Sequence, residues 1–437
     1  MEIKPEEIIQ TTETPIELFY KALTNPETRR VYTNVLKKIV CENFRTILNG
    51  DPKLLFTNNK KRHYRRVFSD ADFEVRVNEF VNLAKTNPSW AESVILTLAT
   101  KLMDRTKLPT YHKDRIQSTM VENNTKALKK LFDMNNVPMT WARIQNVVSN
   151  ENDVRDKSRG YTLSEIQKII KFCDPMERVI VLLGSSAGIR AGAFTLKWEN
   201  IFPVYKVEDK YVWELEDVTE SITEKYPMVC GIIRVYADSY AEYFGLVTPE
   251  CLEAVQIYKE DWLRETKRLP RPEDPVFKKS GALVRPLTYL GIRKRMEAIV
   301  KKAGIRKKIP DTKQKYDIPL FNGFRRFFNK QNKKSLSNQS KLAALILKET
   351  MMGHGGLIKL DKNYFKGHID ELIEEYILAV PNLTISDEER TKAENRKLQK
   401  DKSELAKKNE ELLEYKRKVD ELWADKERME HSNLEKT

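Results

Sequence analysis

From about residue 386 to its C-terminus the chain contains neither glycine nor proline, and Glu, Lys, Arg, Asn and Leu dominate it. Such a segment has no turn residue and too few apolar side chains for a core, so a long solvated helix is what it can form. Leu398, Leu405, Leu412 and Val419 recur every seven residues along it, the spacing of one seam of a coiled coil. The positions that would complete the seam are Asn395, Lys402, Asn409, Lys416 and Trp423. Most of these are polar, which weakens the seam, although a buried asparagine can fix register in a dimer. A single helix laced with i,i+4 ion pairs is the competing reading. The folded core has to come from the residues before this segment.

Those residues divide in two. Over 1–155, apolar positions recur at helical spacing in 16–48, 73–83, 90–102 and 127–132, with breaks at 49–52, 87–88 and 135–138. This predicts a helical domain, one of whose helices starts at Pro88 with Ser89 as cap and Glu92 three residues later. The polar stretch 150–160 (NENDVRDKSRG) reads as a linker. From 156 to 385 the pattern is mixed. Thr162 caps a helix over 163–172, a second runs from Met176 to Ser186 and ends at Gly188, and another begins near Arg190. Tyr211–Leu215 and Ile232–Tyr236 alternate or carry β-branched residues and predict strands. Helical periodicity returns at 250–268 and from Leu287 onward. The expected fold is mainly α: a helical N-terminal domain (1–155), an α-rich domain with a small antiparallel β-sheet (156–385), and a charged C-terminal helix (386–437).

The formal net charge is +14. An excess of that size favours a polyanionic partner, either nucleic acid or an anionic membrane surface; a soluble protein that merely carries many lysines is the bland alternative. The four cysteines, Cys41, Cys173, Cys230 and Cys251, form no Cys-x-x-Cys pair and have no histidine cluster nearby, which argues against a zinc module and a disulfide-stapled secreted domain. The N-terminus lacks the pattern of a signal peptide, and the most apolar run, Val179–Ile189, is too short to span a bilayer. An intracellular, soluble chain without a membrane partner is expected.

Three stretches carry residues suited to phosphate chemistry. In the first, Gly188-Ile189-Arg190 is followed by Leu196-Lys197-Trp198 and Ile201. It places an arginine after a glycine turn at the expected start of an amphipathic helix, where free N–H groups and the dipole favour an anion. In the second, Asn322-Gly323-Phe324-Arg325-Arg326-Phe327-Phe328, the phenylalanines share a helix face that would anchor it in a core and hold Arg325 partly buried. A planar guanidinium suits a pair of phosphate oxygens better than lysine does. In the third, Gly353-His354 precedes Tyr364 by ten residues in a polar, lysine-containing segment. Singly, each is better explained as an ordinary surface arginine, a surface arginine beside an aromatic core stripe, and a loop with a stray tyrosine.

Taken together and in this order, the three stretches resemble the signature of the tyrosine recombinase family: Gly-x-Arg with Leu-Lys-Trp-x-x-Ile, then a His-x-x-Arg box, then Gly-His ahead of a nucleophilic tyrosine. The likeness covers about 160–385, and the variants Phe-Arg-Arg-Phe-Phe and Glu-Glu-Tyr-Ile-Leu-Ala-Val look most like integrases of archaeal mobile elements. It implies a DNA-clamping helical domain in front, and cleavage and rejoining of DNA through a 3′-phosphotyrosine on Tyr364. Arg190 and Arg325 would clamp the non-bridging oxygens, and His354 would donate a further hydrogen bond. It also implies rejoining with no ATP, metal or other cofactor, tetramers on paired sites of double-stranded DNA, and a cytoplasmic location on the nucleoid.

Two positions depart from the pattern. Asn322 stands where the family has histidine; it can hydrogen-bond a phosphate oxygen but cannot shuttle a proton near neutral pH. The family's proton-donating lysine has no counterpart in the corresponding turn, Ala237–Ala241, leaving Lys225, or less favoured Lys210, as candidates. The His354–Tyr364 interval is also one residue longer than the common spacing. Phosphate contacts are expected from Lys60, Lys61, Arg62, Arg65 and Arg66 in the first domain and from Arg306, Lys307 and Lys308 in the second; Lys301 and Lys302 are further candidates there. The rival readings are a catalytically silent DNA-binding relative, a type IB topoisomerase-like enzyme with the same chemistry, and a coiled-coil architectural protein that acts through its tail.

Overall fold

In a computed structural model, the structure describes residues 13–48, 54–56, 66–68, 70–109, 111–148, 158–214, 216–309, 316–336, 341–354 and 369–434. The chain forms two compact units, one ending at Asp156 and the other beginning at Lys157.

The first unit contains helices α1 (Pro15–Lys21), α2 (Pro26–Lys38), α3 (Asp70–Thr86), α4 (Pro88–Thr106), α5 (Ser118–Met134) and α6 (Trp141–Val147). Prolines in the first turn of α1, α2 and α4 cost no hydrogen bond there, because that N–H has no intrahelical partner. The cap of α4 is Asn87, whose side chain accepts from the Trp90 N–H at 3.1 Å. Ser89 is therefore inside the helix, its predicted role taken by the residue that precedes the proline. Phe80 lies 5.0 Å from Phe44 and 5.2 Å from Phe132, ring centre to ring centre, and ties three segments into one core. A short antiparallel hairpin, β1 (Leu54–Phe56) and β2 (Arg66–Phe68), interrupts the helical pattern. The basic run Lys60, Lys61, Arg62 and Arg65 falls between its strands, outside the described residues; Arg66 begins β2.

The second unit is built round α8 (Pro175–Ser186), in which every residue from Val179 to Ser186 is buried. A helix apolar on all sides belongs inside a protein. Here α7 (Leu163–Ile170), α10 (Pro249–Thr266) and α12 (Leu320–Asn332) surround it. Reciprocal capping boxes, Thr162 with Glu165 and Asp174 with Glu177, start α7 and α8.

The sheet has four antiparallel strands, β3 (Ile201–Val207), β4 (Lys210–Val212), β5 (Met228–Val235) and β6 (Tyr243–Val247), in the order β4-β3-β5-β6. A short helix, α9 (Glu220–Lys225), leads into β5. Both α10 and α14 (Ile369–Ile377) pack on β5, so Cys230 to Ile233 are buried consecutively instead of alternately. The α-rich unit is completed by α11 (Tyr289–Lys302), α13 (Lys341–Met351), α15 (Val380–Leu383) and α16 (Asp387–Leu434).

Helix α16 is the charged C-terminal helix of the sequence reading. The buried Glu250 carboxylate fixes its root, accepting the backbone N–H of Ile385 at 2.7 Å and of Ser386 at 3.0 Å. Leu398, Leu405 and Leu412 are more than 60% exposed along it. No helix among the described residues is long and apolar enough to cross a membrane.

Candidate active site

Gly188, just beyond the end of α8, has φ +59, and a Cβ there would sit 2.4 Å from the Phe328 ring. Only glycine combines that backbone with that contact. The turn delivers Arg190 to the surface in an extended conformation, followed by a single 3-10 turn, Ala191–Ala193. The predicted amphipathic helix does not form. Gly192 weakens a first turn, and Phe194 and Leu196 are drawn into the core instead. Arg190 accordingly has no helix dipole to help it; its anchor is the Gly353 carbonyl, to which its Nη1 donates at 3.1 Å.

Arg325 lies on α12, where Phe324, Phe327 and Phe328 are all buried as the sequence predicts. It is itself only 9% exposed. Its Nη1 donates to the Gly188 carbonyl at 2.5 Å and its Nη2 to the Met352 carbonyl at 2.7 Å. Burial and the neighbouring Arg190 guanidinium both push its pKa down from the usual arginine value. Burying a cation beside a like charge costs free energy, which a site built to receive an anion recovers when the anion arrives. Asn322 is exposed one turn earlier on α12.

His354 is set by the end of α13. Its N–H donates to the Glu349 carbonyl at 3.2 Å and that of Gly353 to the Thr350 carbonyl at 2.8 Å, with Gly353 at φ +62. This is the Schellman ending, which needs glycine at its left-handed position. A Cβ on Gly353 would also lie 2.5 Å from the Tyr243 ring. The turn folds His354 back over Glu349, whose carboxylate meets imidazole Nδ1. Lys333, at the end of α12, pairs with the same carboxylate. Burial raises the Glu349 pKa, but the hydrogen bonds from His354 and Lys333 outweigh it, and the net shift is downward.

The other ring nitrogen, Nε2, is 2.7 Å from Arg325 Nη2. A guanidinium has no acceptor, so Nε2 is the accepting atom in this contact. Tyr243 closes the back of the site. Burial pushes its phenol up to about 12, with the Arg325 guanidinium pulling the other way.

Arg190, Arg325 and His354, from three separate parts of the sequence, therefore converge around the Gly188, Met352 and Gly353 carbonyls. Sequence reasoning missed Glu349 and Tyr243. A glutamate five residues before a histidine, across a glycine that ends a helix, was the available signal for the first; Tyr243 had none.

Tyr364 lies outside the described residues. Lys225 is elsewhere. It precedes the Met228 end of β5, whereas Tyr243 pairs with Val235 at the other end, roughly 20 Å away at about 3.3 Å per residue. Lys210 pairs with Val207 at the tip of the β3–β4 hairpin, also toward the Met228 end. Of the second unit's predicted phosphate contacts, Lys307 and Lys308 are exposed. Arg306 is committed to structure, stacked 4.0 Å from the centre of the Tyr316 ring and donating to the Ile318 carbonyl at 2.8 Å. Among the described residues no three His, Cys, Asp or Glu side chains gather as metal ligands.

No protein-family model matches the chain, and no curated protein matches it. Among solved structures it is similar to the XerH site-specific recombinase bound to difH substrate, at 14% identity over 82% of this chain and 91% of that one, with a TM-score of 0.39. It is similar to the XerA recombinase at 15% identity over 68% and 96%, with a TM-score of 0.30. A lambda integrase dimer bound to a COC′ core site matches at 12% identity over 65% and 64%, with a TM-score of 0.36. The overlays are loose, and the chemistry proposed below rests on the arginines and histidine of the site.

Proposed function

We propose that the chain is a tyrosine-type site-specific DNA recombinase. The observation that carries this reading is the convergence of Arg190, Arg325 and His354 at one surface site, with Arg190 exposed and Arg325 buried behind it. Two guanidiniums spend some of their N–H donors on backbone carbonyls, and the remainder are available to a phosphate. Placed on the non-bridging oxygens of a phosphodiester, they stabilise the charge that develops as the phosphorus is attacked.

In this reading Tyr364 is the nucleophile. Its oxygen forms a bond to phosphorus, the bond to the 5′ oxygen breaks, and a 3′-phosphotyrosine conserves the energy for rejoining. Asn322, exposed near Arg325, helps orient the phosphate. Lys307, Lys308 and the basic run 60–66 hold the duplex through its backbone, which gives affinity and salt dependence without sequence choice. The first unit serves DNA binding and residues 156–385 catalysis, in tetramers on paired sites, with α16 as an added contact between copies. The variants Phe-Arg-Arg-Phe-Phe and Glu-Glu-Tyr-Ile-Leu-Ala-Val support, in this reading, an enzyme like the integrases of archaeal mobile elements, acting on the nucleoid.

The test is to incubate the protein with a pool of nicked duplexes of randomised sequence and look for a heat- and detergent-stable protein–DNA adduct with a free 5′ hydroxyl. An adduct supports the recombinase. Salt-sensitive binding with no adduct supports the silent DNA-binding relative, a reading favoured by Asn322 and by the lysine-free turn between β5 and β6.

A further inference from the structure

We propose that Glu349 is a positioning residue that holds His354 in the Nδ1–H tautomer, so that Nε2 is the proton acceptor for the attacking hydroxyl. The assignment of the hydroxyl to a DNA-cleaving nucleophile rests on the function proposed above; the tautomer does not.

The two contacts of the imidazole fix its proton. Arg325 Nη2 can only donate, so Nε2, 2.7 Å away, carries a lone pair. The single ring proton is then on Nδ1, where the Glu349 carboxylate accepts it. Which ring nitrogen of a histidine carries the proton is set by the hydrogen bonds the ring makes, so the carboxylate is what keeps the proton on Nδ1 once Arg325 is drawn off Nε2. The same carboxylate is braced by Lys333 from α12, and the Schellman turn holds the imidazole over it through the backbone. Arg325 from α12 is the other titratable group in contact with the ring, and Arg190 from the Gly188 turn and Tyr243 from β6 stand beside Arg325.

A carboxylate that orients a histidine so that its far nitrogen can take a proton is the arrangement that activates hydroxyl nucleophiles elsewhere. In the ligand-free site Arg325 caps that nitrogen. A phosphate oxygen is the better acceptor for a guanidinium, so a bound phosphodiester draws the Arg325 N–H away and frees Nε2. The proton of the attacking hydroxyl then passes to Nε2, its oxygen bonds to phosphorus, and the departing 5′ oxygen takes its proton from water. This gives the site a base although Asn322 cannot serve as one.

The experiment uses the full chain labelled with 15N-histidine. Long-range 15N–1H correlation is expected to show His354 as Nδ1–H in the wild type with and without saturating inorganic phosphate, and a shift toward Nε2–H in Glu349→Ala once phosphate has drawn Arg325 off Nε2. Lys333→Ala, which breaks the same link between α12 and α13 without touching the ring, is expected to keep Nδ1–H. On the randomised nicked duplex pool, Glu349→Ala is expected to slow adduct formation at least about tenfold. Glu349→Ala/His354→Ala is expected to be no slower than His354→Ala alone, since the carboxylate acts through the ring. An Nε2–H ring in the wild type, an unmoved tautomer in phosphate-bound Glu349→Ala, or additive losses in the double variant each overturn the proposal. A wild type that forms no adduct overturns the recombinase reading instead, and the tautomer measurement then decides the Glu349 assignment separately.

Discussion

Arg325 Nη2 and His354 Nε2 stand 2.7 Å apart although 29 positions separate the two residues in sequence. The contact depends on a fork. The same guanidinium donates to the Gly188 and Met352 carbonyls and so spans the turn after α8, α12 and the turn after α13. A lysine ammonium has no planar fork to span them. Arg325→Lys is therefore expected to lower the rate of covalent adduct formation by about 100-fold or more. Salt-dependent binding to non-specific duplex, measured by fluorescence anisotropy, should stay within about threefold, because most of that affinity comes from other phosphate contacts.

Gly188 should tolerate no side chain. An alanine there would be held at φ +59 with its Cβ 2.4 Å from a Phe328 ring that is fully buried. The left-handed backbone and the clash together should cost about 2–4 kcal/mol. Chemical denaturation of Gly188→Ala checks this as a lower midpoint with an unchanged slope.

The ion pair between Lys348 on α13 and Glu375 on α14 is wholly inside the protein, at 3.0 Å and with side-chain exposures of 0% and 3%. It holds α14 where Tyr376 can donate to the Ser186 carbonyl of α8 at 2.8 Å. Lys348→Met leaves a carboxylate buried without its partner and should destabilise by about 3–5 kcal/mol. Lys348→Met/Glu375→Leu removes both charges and should recover most of that loss in the same denaturation assay.

Glu165 predicts an acid-sensitive anchor. Its carboxylate accepts from Arg159 at 2.7 and 2.8 Å and from the Thr162 N–H at 2.8 Å. The Arg159 hydrogen bond leads the causes that hold its pKa below the usual glutamate value. A depressed folded-state pKa contributes stability that is fully present above the unfolded value, about 4.3, and is lost as pH falls through the folded one. The thermal midpoint of Glu165→Gln should thus lie below wild type at pH 7, and the two should converge as pH falls below about 4.

Much of this was written in the sequence where local chemistry decides structure. Thr162 with Glu165 announced a helix start and the structure has its capping box there; the three phenylalanines of α12 announced the face that buries Arg325. Strands β3 and β6 were not legible, because Pro203 interrupts the pattern of the first and Gly245 that of the second. The failed helix after Arg190 was a tertiary effect: Phe194 and Leu196 gain more from the core than a glycine-weakened first turn can offer. The tautomer of His354 needed the distance to Arg325, which no spacing in the sequence encodes.

A tyrosine nucleophile leaves Tyr364 covalently joined to DNA. The most direct measurement is to trap the adduct on nicked duplex, digest the protein and identify the modified peptide by mass spectrometry, with Tyr364→Phe run in parallel. A nucleotide-bearing peptide containing Tyr364 is expected in the wild type and no adduct in Tyr364→Phe, with duplex binding retained. An adduct that persists in Tyr364→Phe, or a wild type that binds duplex and never forms one, would contradict it.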